Sequence, residues 1–131
     1  MIELELKIQG QLKSGKNSMK NTRSGHRYPD KKWAAWRDEM LKQINRVFWH
    51  DTAPEVIPAA IMFGECAVHI DYWPGDLRRR DVPGMVDALW HCFERAGIVK
   101  DDKQFTQVYW VTRELDRENP RAQIRIWALG H

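Results

Sequence analysis

Three aspartates frame a stretch with helical spacing: Asp81 stands just before it, and Asp101 and Asp102 follow it. Carboxylates are hard oxygen donors. Two or three of them converging on one point are what a divalent cation needs for phosphodiester hydrolysis. Asp87 falls four residues after Pro83, on the same helix face one turn along. His91 and Glu94 continue that face, and for both plain solvent exposure is the simpler reading. A helix of about 14 residues is roughly 21 Å long. The two ends of one straight helix therefore cannot share a metal ion. Either turn and strand bring Asp102 back, or it meets Asp81 from the other side; the sequence leaves both open. Acids at helix ends are also common as caps and macrodipole partners, so the spacing alone does not decide for a metal site.

Cations surround these acids. Arg78, Arg79 and Arg80 precede Asp81 directly. Three adjacent guanidinium groups cannot all point one way. One or two are expected to reach phosphates, and another to pair with an acid such as Asp76. A second basic block runs from residue 13 to 32: Lys13, Lys16, Lys20, Arg23, Arg27, Lys31 and Lys32, with His26 when protonated and the single acid Asp30. A local basic block beside a balanced remainder suits a phosphate-binding arm, and equally a solvated loop. The net charge of +3 fits nucleic-acid binding without requiring it.

The elements that must position these groups follow from periodicity. Residues 2–10 alternate apolar and polar, the pattern of a half-buried strand. The segment 10–30, rich in Ser, Gly, Asn and Lys, predicts a long loop. Trp33, Trp36, Met40, Ile44, Val47 and Phe48 form one stripe of a helix over 31–49, with Asp30 as N-cap after Pro29. Residues 51–58 read as a turn-rich connector. Residues 61–73 read as a strand, broken by Pro74-Gly75-Asp76. A second helix spans 83–96, with Pro83 at its first position, Val86, Leu89, Trp90 and Phe93 as its buried stripe, and Gly97 ending it. Residues 105–112 and 122–129 predict a final antiparallel pair of strands, joined by the charged segment 113–121. The expected fold is a single α+β domain over 1–131: a small mixed sheet with two main helices packed on it.

The stretch Arg79-Arg80-Asp81-Val82-Pro83-Gly84, then Asp87-Ala88-Leu89, then Gly97-Ile98-Val99-Lys100-Asp101-Asp102-Lys103-Gln104, resembles the core signature of the RusA family of Holliday-junction resolvases. That signature runs as basic residues with Asp-x-Asp-Asn, a helix, then Gly and an Asp-Asp pair followed by Gln. Gly15-Lys16-Asn17-Ser18 and Gly25-His26-Arg27-Tyr28 are similar to the family's Lys/Asn-rich loop. The resemblance covers nearly the whole chain and is most specific in the central motif.

The resemblance implies a nuclease acting as a homodimer that nicks two strands of a four-way DNA junction symmetrically. A two-fold enzyme suits a nearly two-fold substrate. Asp81 matches the family's first catalytic aspartate and Asp102 its last, with Asp101 beside it. These would bind Mg²⁺, or Mn²⁺ in its place, and orient the attacking water. Lys13, Lys16, Lys20, Arg23, Arg27 and Arg78–Arg80 would contact DNA. Two departures matter. Pro83 stands at the family's second aspartate and Gly84 at the following Asn. Asp87 falls where the family often has a catalytic lysine. The expectation is that Asp87 replaces the missing ligand, as both a catalytic and a metal-binding residue, from roughly 5 Å further along the helix. A lysine would then come from Lys100, Lys103 or the 13–32 loop.

Composition narrows the alternatives. The 131 residues, 43% hydrophobic and 30% charged, describe a chain able to bury its own core. The seven Trp residues are expected mainly in that core or at a dimer interface. Apolar strand residues such as Ile61 and Val68 are also expected dimer contacts. Cys66 and Cys92 form no CxxC and no zinc pattern, and read as reduced packing residues of a cytoplasmic protein. The N-terminus does not read as a signal peptide, and no run approaches the roughly 20 apolar residues of a membrane span. There is no GxxxxGK[ST] loop and no GxSxG. The competing classes are a catalytically weak branched-DNA binder, a nuclease preferring flaps or forks, and a protein whose Trp-rich surface binds another protein. The resemblance permits a cellular or a phage origin.

Overall fold

A computed structural model of the chain describes residues 2–15, 19–21, 25, 27–48 and 57–130, the side chains of 19–21 and 27–29 excepted. The elements run β1 (Glu3–Gln9), β2 (Met19–Asn21), β3 (Arg27–Pro29), α1 (Lys31–Phe48), α2 (Ala59–Phe63), β4 (Cys66–Trp73), α3 (Val82–Arg95), a 3₁₀ turn (Asp102–Gln104), β5 (Phe105–Thr112) and β6 (Arg121–Ala128). Four strands form one mixed sheet in the order β1-β6-β4-β5, and β2 pairs with β3 separately. The α+β class, the mixed sheet and the two main helices agree with the sequence reading.

Alternation decides the faces of the sheet. In β1, Leu4, Leu6 and Ile8 are buried while Glu3, Glu5, Lys7 and Gln9 are exposed. The register sets Leu6 against Ile124 of β6, and Ile124 against Ile70 of β4. These side chains share one face because successive strand residues point to opposite sides. Onto that face pack the stripe of α1 (Trp33, Trp36, Met40, Ile44, Phe48) and, from α3, Met85, Leu89 and Phe93. Burying each large apolar side chain contributes about 1.5–3 kcal/mol before chain entropy. The other face holds Glu5, Arg125, His69 and Tyr109 in one row.

Cap chemistry bounds the helices. The Asp30 carboxylate accepts from Trp33 N at 3.2 Å, opening α1 as expected. Asp81 caps α3, with Pro83 at its second position rather than its first. At the other end Ile98 N donates to Phe93 O at 3.0 Å and Gly97 N to Glu94 O at 3.0 Å. This paired closure needs a left-handed residue, and Gly97 supplies it with φ +80°.

Four expectations change. Residues 61–73 are not one strand: Ala59–Phe63 is a short helix, and β4 begins at Cys66. Ile61 N and Met62 N both donate to Pro58 O at 3.0 Å, which closes a helical turn that Gly64 ends. The last two strands do not pair with each other. β4 lies between them, parallel to β5 and antiparallel to β6. An α-helical crossover from β4 through α3 delivers β5 parallel to β4, so β6 takes β4's other edge. The 10–30 segment holds the short β2–β3 pair within the expected loop. Ile61 and Val68 are fully buried in the chain's own core and cannot supply a dimer contact. The 51–56 part of the expected connector and Trp49 lie outside the described residues.

Candidate functional site

Two groups of candidate side chains form at the two ends of α3. At its C-terminal end the closing Gly97 turn leads through Ile98 and Val99, both buried, to the Asp pair. Burial of those two apolar residues anchors the exposed carboxylates that follow. The Asp101 carboxylate accepts from Lys103 N at 2.9 Å and caps the 3₁₀ turn. Asp102 N donates to Glu94 Oε1 at 2.6 Å, tying this segment to the last turn of α3. Carboxylate oxygens of Glu94, Asp101 and Asp102 thereby come within 4.8 Å of one another. All three residues are exposed.

Gln104 holds this cluster in place. Its Oε1 accepts from Lys100 N at 2.8 Å and Asp101 N at 2.9 Å. Its Nε2 donates to Gly64 O at 2.8 Å, Ile61 O at 3.0 Å and Met62 O at 3.1 Å. One amide thus satisfies carbonyls at the end of α2 and amides entering the Asp pair. Lys100 N also donates to Met62 O at 3.1 Å. Lys100 Nζ sits 5.6 Å from the centroid of the Phe63 ring.

The cluster's electrostatics show in Asp102, whose pKa is raised. Partial loss of hydration is the largest cause, followed by the charge of Glu94, a hydrogen bond and charge from Asp101, and the charge of Asp87. Crowded like charges that resist ionisation are relieved when a cation joins them. The donor set consists of carboxylates, which suits a hard cation such as Mg²⁺.

At the N-terminal end of α3, Asp81 Oδ1 accepts from Gly84 N at 3.1 Å, and Oδ2 accepts from Ser14 Oγ at 2.9 Å. The strap after β1 lies across this helix start. Gly15 N donates to Gly84 O at 3.0 Å, Leu12 N to Tyr72 Oη at 3.1 Å, and Trp36 Nε1 to Gln11 O at 2.8 Å. Gly84 permits the close approach, since a Cβ there would collide with Ser14 Oγ and the Asp81 carboxylate. Lys13, Ser14, Arg78, Arg79, Arg80 and Asp81 line an open cleft here. Asp76 pairs with Arg80 at 3.7 Å and with Arg78 at 3.9 Å. Arg79 is exposed and makes no ion pair among the described residues. Arg78 and Arg80 thus share Asp76, where one arginine was expected, and Arg79 is left exposed.

Of the expected metal ligands, the fold brings Asp101 and Asp102 together. It does not bring Asp81 to them. A 14-residue helix separates the two ends by about 21 Å, and β5 starts beside the start of β4, not its end. Asp87 is exposed, on the Glu94 face of α3. Seven residues of rise place it about 10 Å from Glu94 along the axis, close enough to act on Asp102 by charge. Glu94 is the residue that sequence reasoning passed over. Its signal was the seven-residue spacing from Asp87, two turns along one face. Lys13 is exposed at the cleft. Lys16 and Arg23 lie outside the described residues. Lys20 and Arg27 stand on the paired strands β2 and β3, their side chains outside the description.

The remaining groups are structural. Cys66 and Cys92 are free and buried. Burial pushes their thiols up to about 11 and about 12, which leaves both protonated and unreactive at neutral pH. Trp33, Trp36 and Trp90 are buried, with Trp90 stacked on Phe105 at 4.3 Å. No helix among the described residues is long and apolar enough to cross a membrane. In comparisons with known proteins, no family model and no curated protein matches the chain.

Proposed function

We propose that this protein is a Mg²⁺-dependent, structure-specific endodeoxyribonuclease that resolves four-way DNA junctions by paired symmetric nicks as a homodimer. The observation that carries this reading is the carboxylate cluster of Glu94, Asp101 and Asp102, held on the last turn of a helix and on the capped 3₁₀ turn that leads into a strand. Rigid elements are what a metal-dependent site requires. The resemblance to RusA-type resolvases supplies the substrate class.

In this reading Glu94, Asp101 and Asp102 hold the cation, Mg²⁺ or Mn²⁺. A bound divalent ion would supply Lewis acidity toward a phosphoryl oxygen and lower the pKa of a water molecule. Asp87 adds negative charge on the same face. Asp81 orders the start of α3 and the strap that presents Lys13. Lys13, Arg79 and the exposed part of Arg78 bind backbone phosphates, with Lys16, Lys20, Arg23 and Arg27 extending the contact. Such contacts fix the position of DNA without reading its sequence. The reading places the protein with DNA in the cytoplasm, where Cys66 and Cys92 stay reduced.

The test is cleavage of a labelled four-way junction against matched linear duplex and flap substrates, with Mg²⁺ and with EDTA. Paired nicks on the junction, lost with EDTA and in Glu94→Gln and Asp102→Asn, are the expected result. Preferential cutting of flaps would move the substrate but keep the chemistry. A second reading, a branched-DNA binder that does not cut, draws on one observation. The Asp81 carboxylate is engaged by Gly84 and Ser14 at the far end of α3 from the cluster. Junction binding without cleavage under Mg²⁺ or Mn²⁺ would establish that reading instead.

A further inference from the structure

The two outer strands of the sheet differ in chemistry. β1 carries Glu3, Glu5 and Lys7 among its seven residues. β5 reads Phe-Thr-Gln-Val-Tyr-Trp-Val-Thr, with no charge, no proline and no glycine in eight residues. Its outer edge has no strand partner among the described residues. Pairing on one side leaves half of its backbone N–H and C=O groups unpaired within the sheet. Thr106, Gln107, Val108 and Tyr109 are all exposed, and the two large apolar residues are 43% and 47% accessible. Monomeric proteins blunt such an edge with charges, bulges or proline. The only register shift on β5 falls at the Cys66/Ala67 step, where the strand begins.

We propose that the free edge of β5 pairs antiparallel with β5 of a second copy, joining two four-stranded sheets into one of eight strands. The proposal rests on the homodimer reading above and names the surface it uses. The occupant is a strand because only a strand answers a row of alternating backbone donors and acceptors. It is a second copy because an uncharged strand meets itself without opposing like charges. Antiparallel self-pairing is isologous, so it closes at two chains rather than growing a fibre.

The helix above the edge is compatible with that pairing. Trp90 of α3 stacks on Phe105 at 4.3 Å, at the start of β5. Val86 and Pro83 continue the Trp90 flank of α3 at helical spacing, half-buried and exposed respectively. Strands lie about 4.8 Å apart. A helix seated over β4 and β5 and its two-fold mate therefore approach at about 10 Å, a packing distance for helices.

The experiment is sedimentation equilibrium of the full chain over a wide concentration range, with Val108→Lys and Tyr109→Lys as edge variants and Lys7→Glu on β1 as control. The expected mass is twice the 15.5 kDa of one chain for the wild type and the control. Each edge variant is expected to weaken the dimer about tenfold or more, since like charges would face each other near the two-fold. A wild type that stays one chain at every concentration overturns the proposal, as does a dimer indifferent to both edge variants. Backbone amide exchange in wild-type protein gives a readout that no variant can spoil by misfolding. Slower exchange in 106–111 with rising concentration supports the pairing, and concentration-independent exchange overturns it. Cleavage plays no part in these outcomes. A β5-paired dimer that does not cut DNA supports the surface while counting against the nuclease.

Discussion

Asp81 and Asp102 show how the same residue type takes different work from its surroundings. Asp81 is a cap: its carboxylate satisfies Gly84 N and receives Ser14 Oγ. Replacing a capping aspartate with alanine costs about 1 kcal/mol, while asparagine keeps most of the cap. Urea unfolding is therefore expected to show a loss of about that size in Asp81→Ala and a much smaller one in Asp81→Asn. Asp102 stands in a crowd of acids, and its raised pKa has a sign that can be tested. The folded state holds its proton more tightly than the unfolded chain does. That contribution to stability is greatest at low pH and falls as pH rises from the ordinary value of 3.8 through the raised one. A cation bound to the ionised cluster reverses the loss. Thermal melts are expected to show Mg²⁺ raising Tm above this window, with the gain shrinking as pH drops into it. Asp102→Asn should remove most of that gain. A Tm at neutral pH that ignores Mg²⁺ would rule out the cluster as a metal site.

Between elements, Gln104 is the critical joint. Its five hydrogen bonds link the end of α2 to the segment that carries the Asp pair. A net hydrogen bond is worth about 1 kcal/mol, and some groups left by truncation would recover water. Gln104→Ala is expected to cost roughly 2–3 kcal/mol in urea unfolding. It should also weaken Mg²⁺ binding measured by titration calorimetry, because Asp101 loses the acceptor that fixes its amide. At the opposite end of α3, Gly84→Ala should unseat the strap at Ser14. Its stability loss is expected to exceed that of Asp81→Asn, and hydrogen exchange in residues 12–15 should rise. An unchanged exchange pattern would mean that the strap is held by Trp36 and Tyr72 alone.

For the whole molecule, charge is distributed rather than large. The net +3 conceals a cluster of carboxylates at one end of α3 and a cationic cleft at the other. DNA binding through phosphates releases counterions, so affinity falls linearly with salt on logarithmic axes. Lys13→Ala and Arg79→Ala are each expected to reduce that slope by about 1 for junction and duplex alike. Arg80→Ala is expected to change it less, because Arg80 is half-buried and already paired with Asp76. Fluorescence anisotropy across a salt series checks all three. Equal slopes in wild type and variants would detach this cleft from DNA.

What was legible in the sequence was what neighbours along the chain decide. The alternation of Leu4, Leu6 and Ile8, the stripe from Trp33 to Phe48, the cap at Asp30 and the stop at Gly97 are local signals, and the fold uses each. The pairing of an arginine of 78–80 with Asp76 spans only a few residues and was legible for the same reason. The tertiary structure alone decided the rest. Whether β6 neighbours β5 or β4 depends on partners 48 to 62 residues apart. The split of 61–73 into helix and strand turns on Pro58 and on Gln104, which reaches back 40 residues to Gly64. Asp81 and Asp102 are separated because the 14 residues of α3 lie between them and the strand that follows starts beside the start of β4. Glu94 joins the Asp pair because the turn after Gly97 folds the chain back on the last turn of α3. Periodicity tells a residue which side it faces, but only packing tells it what it meets there.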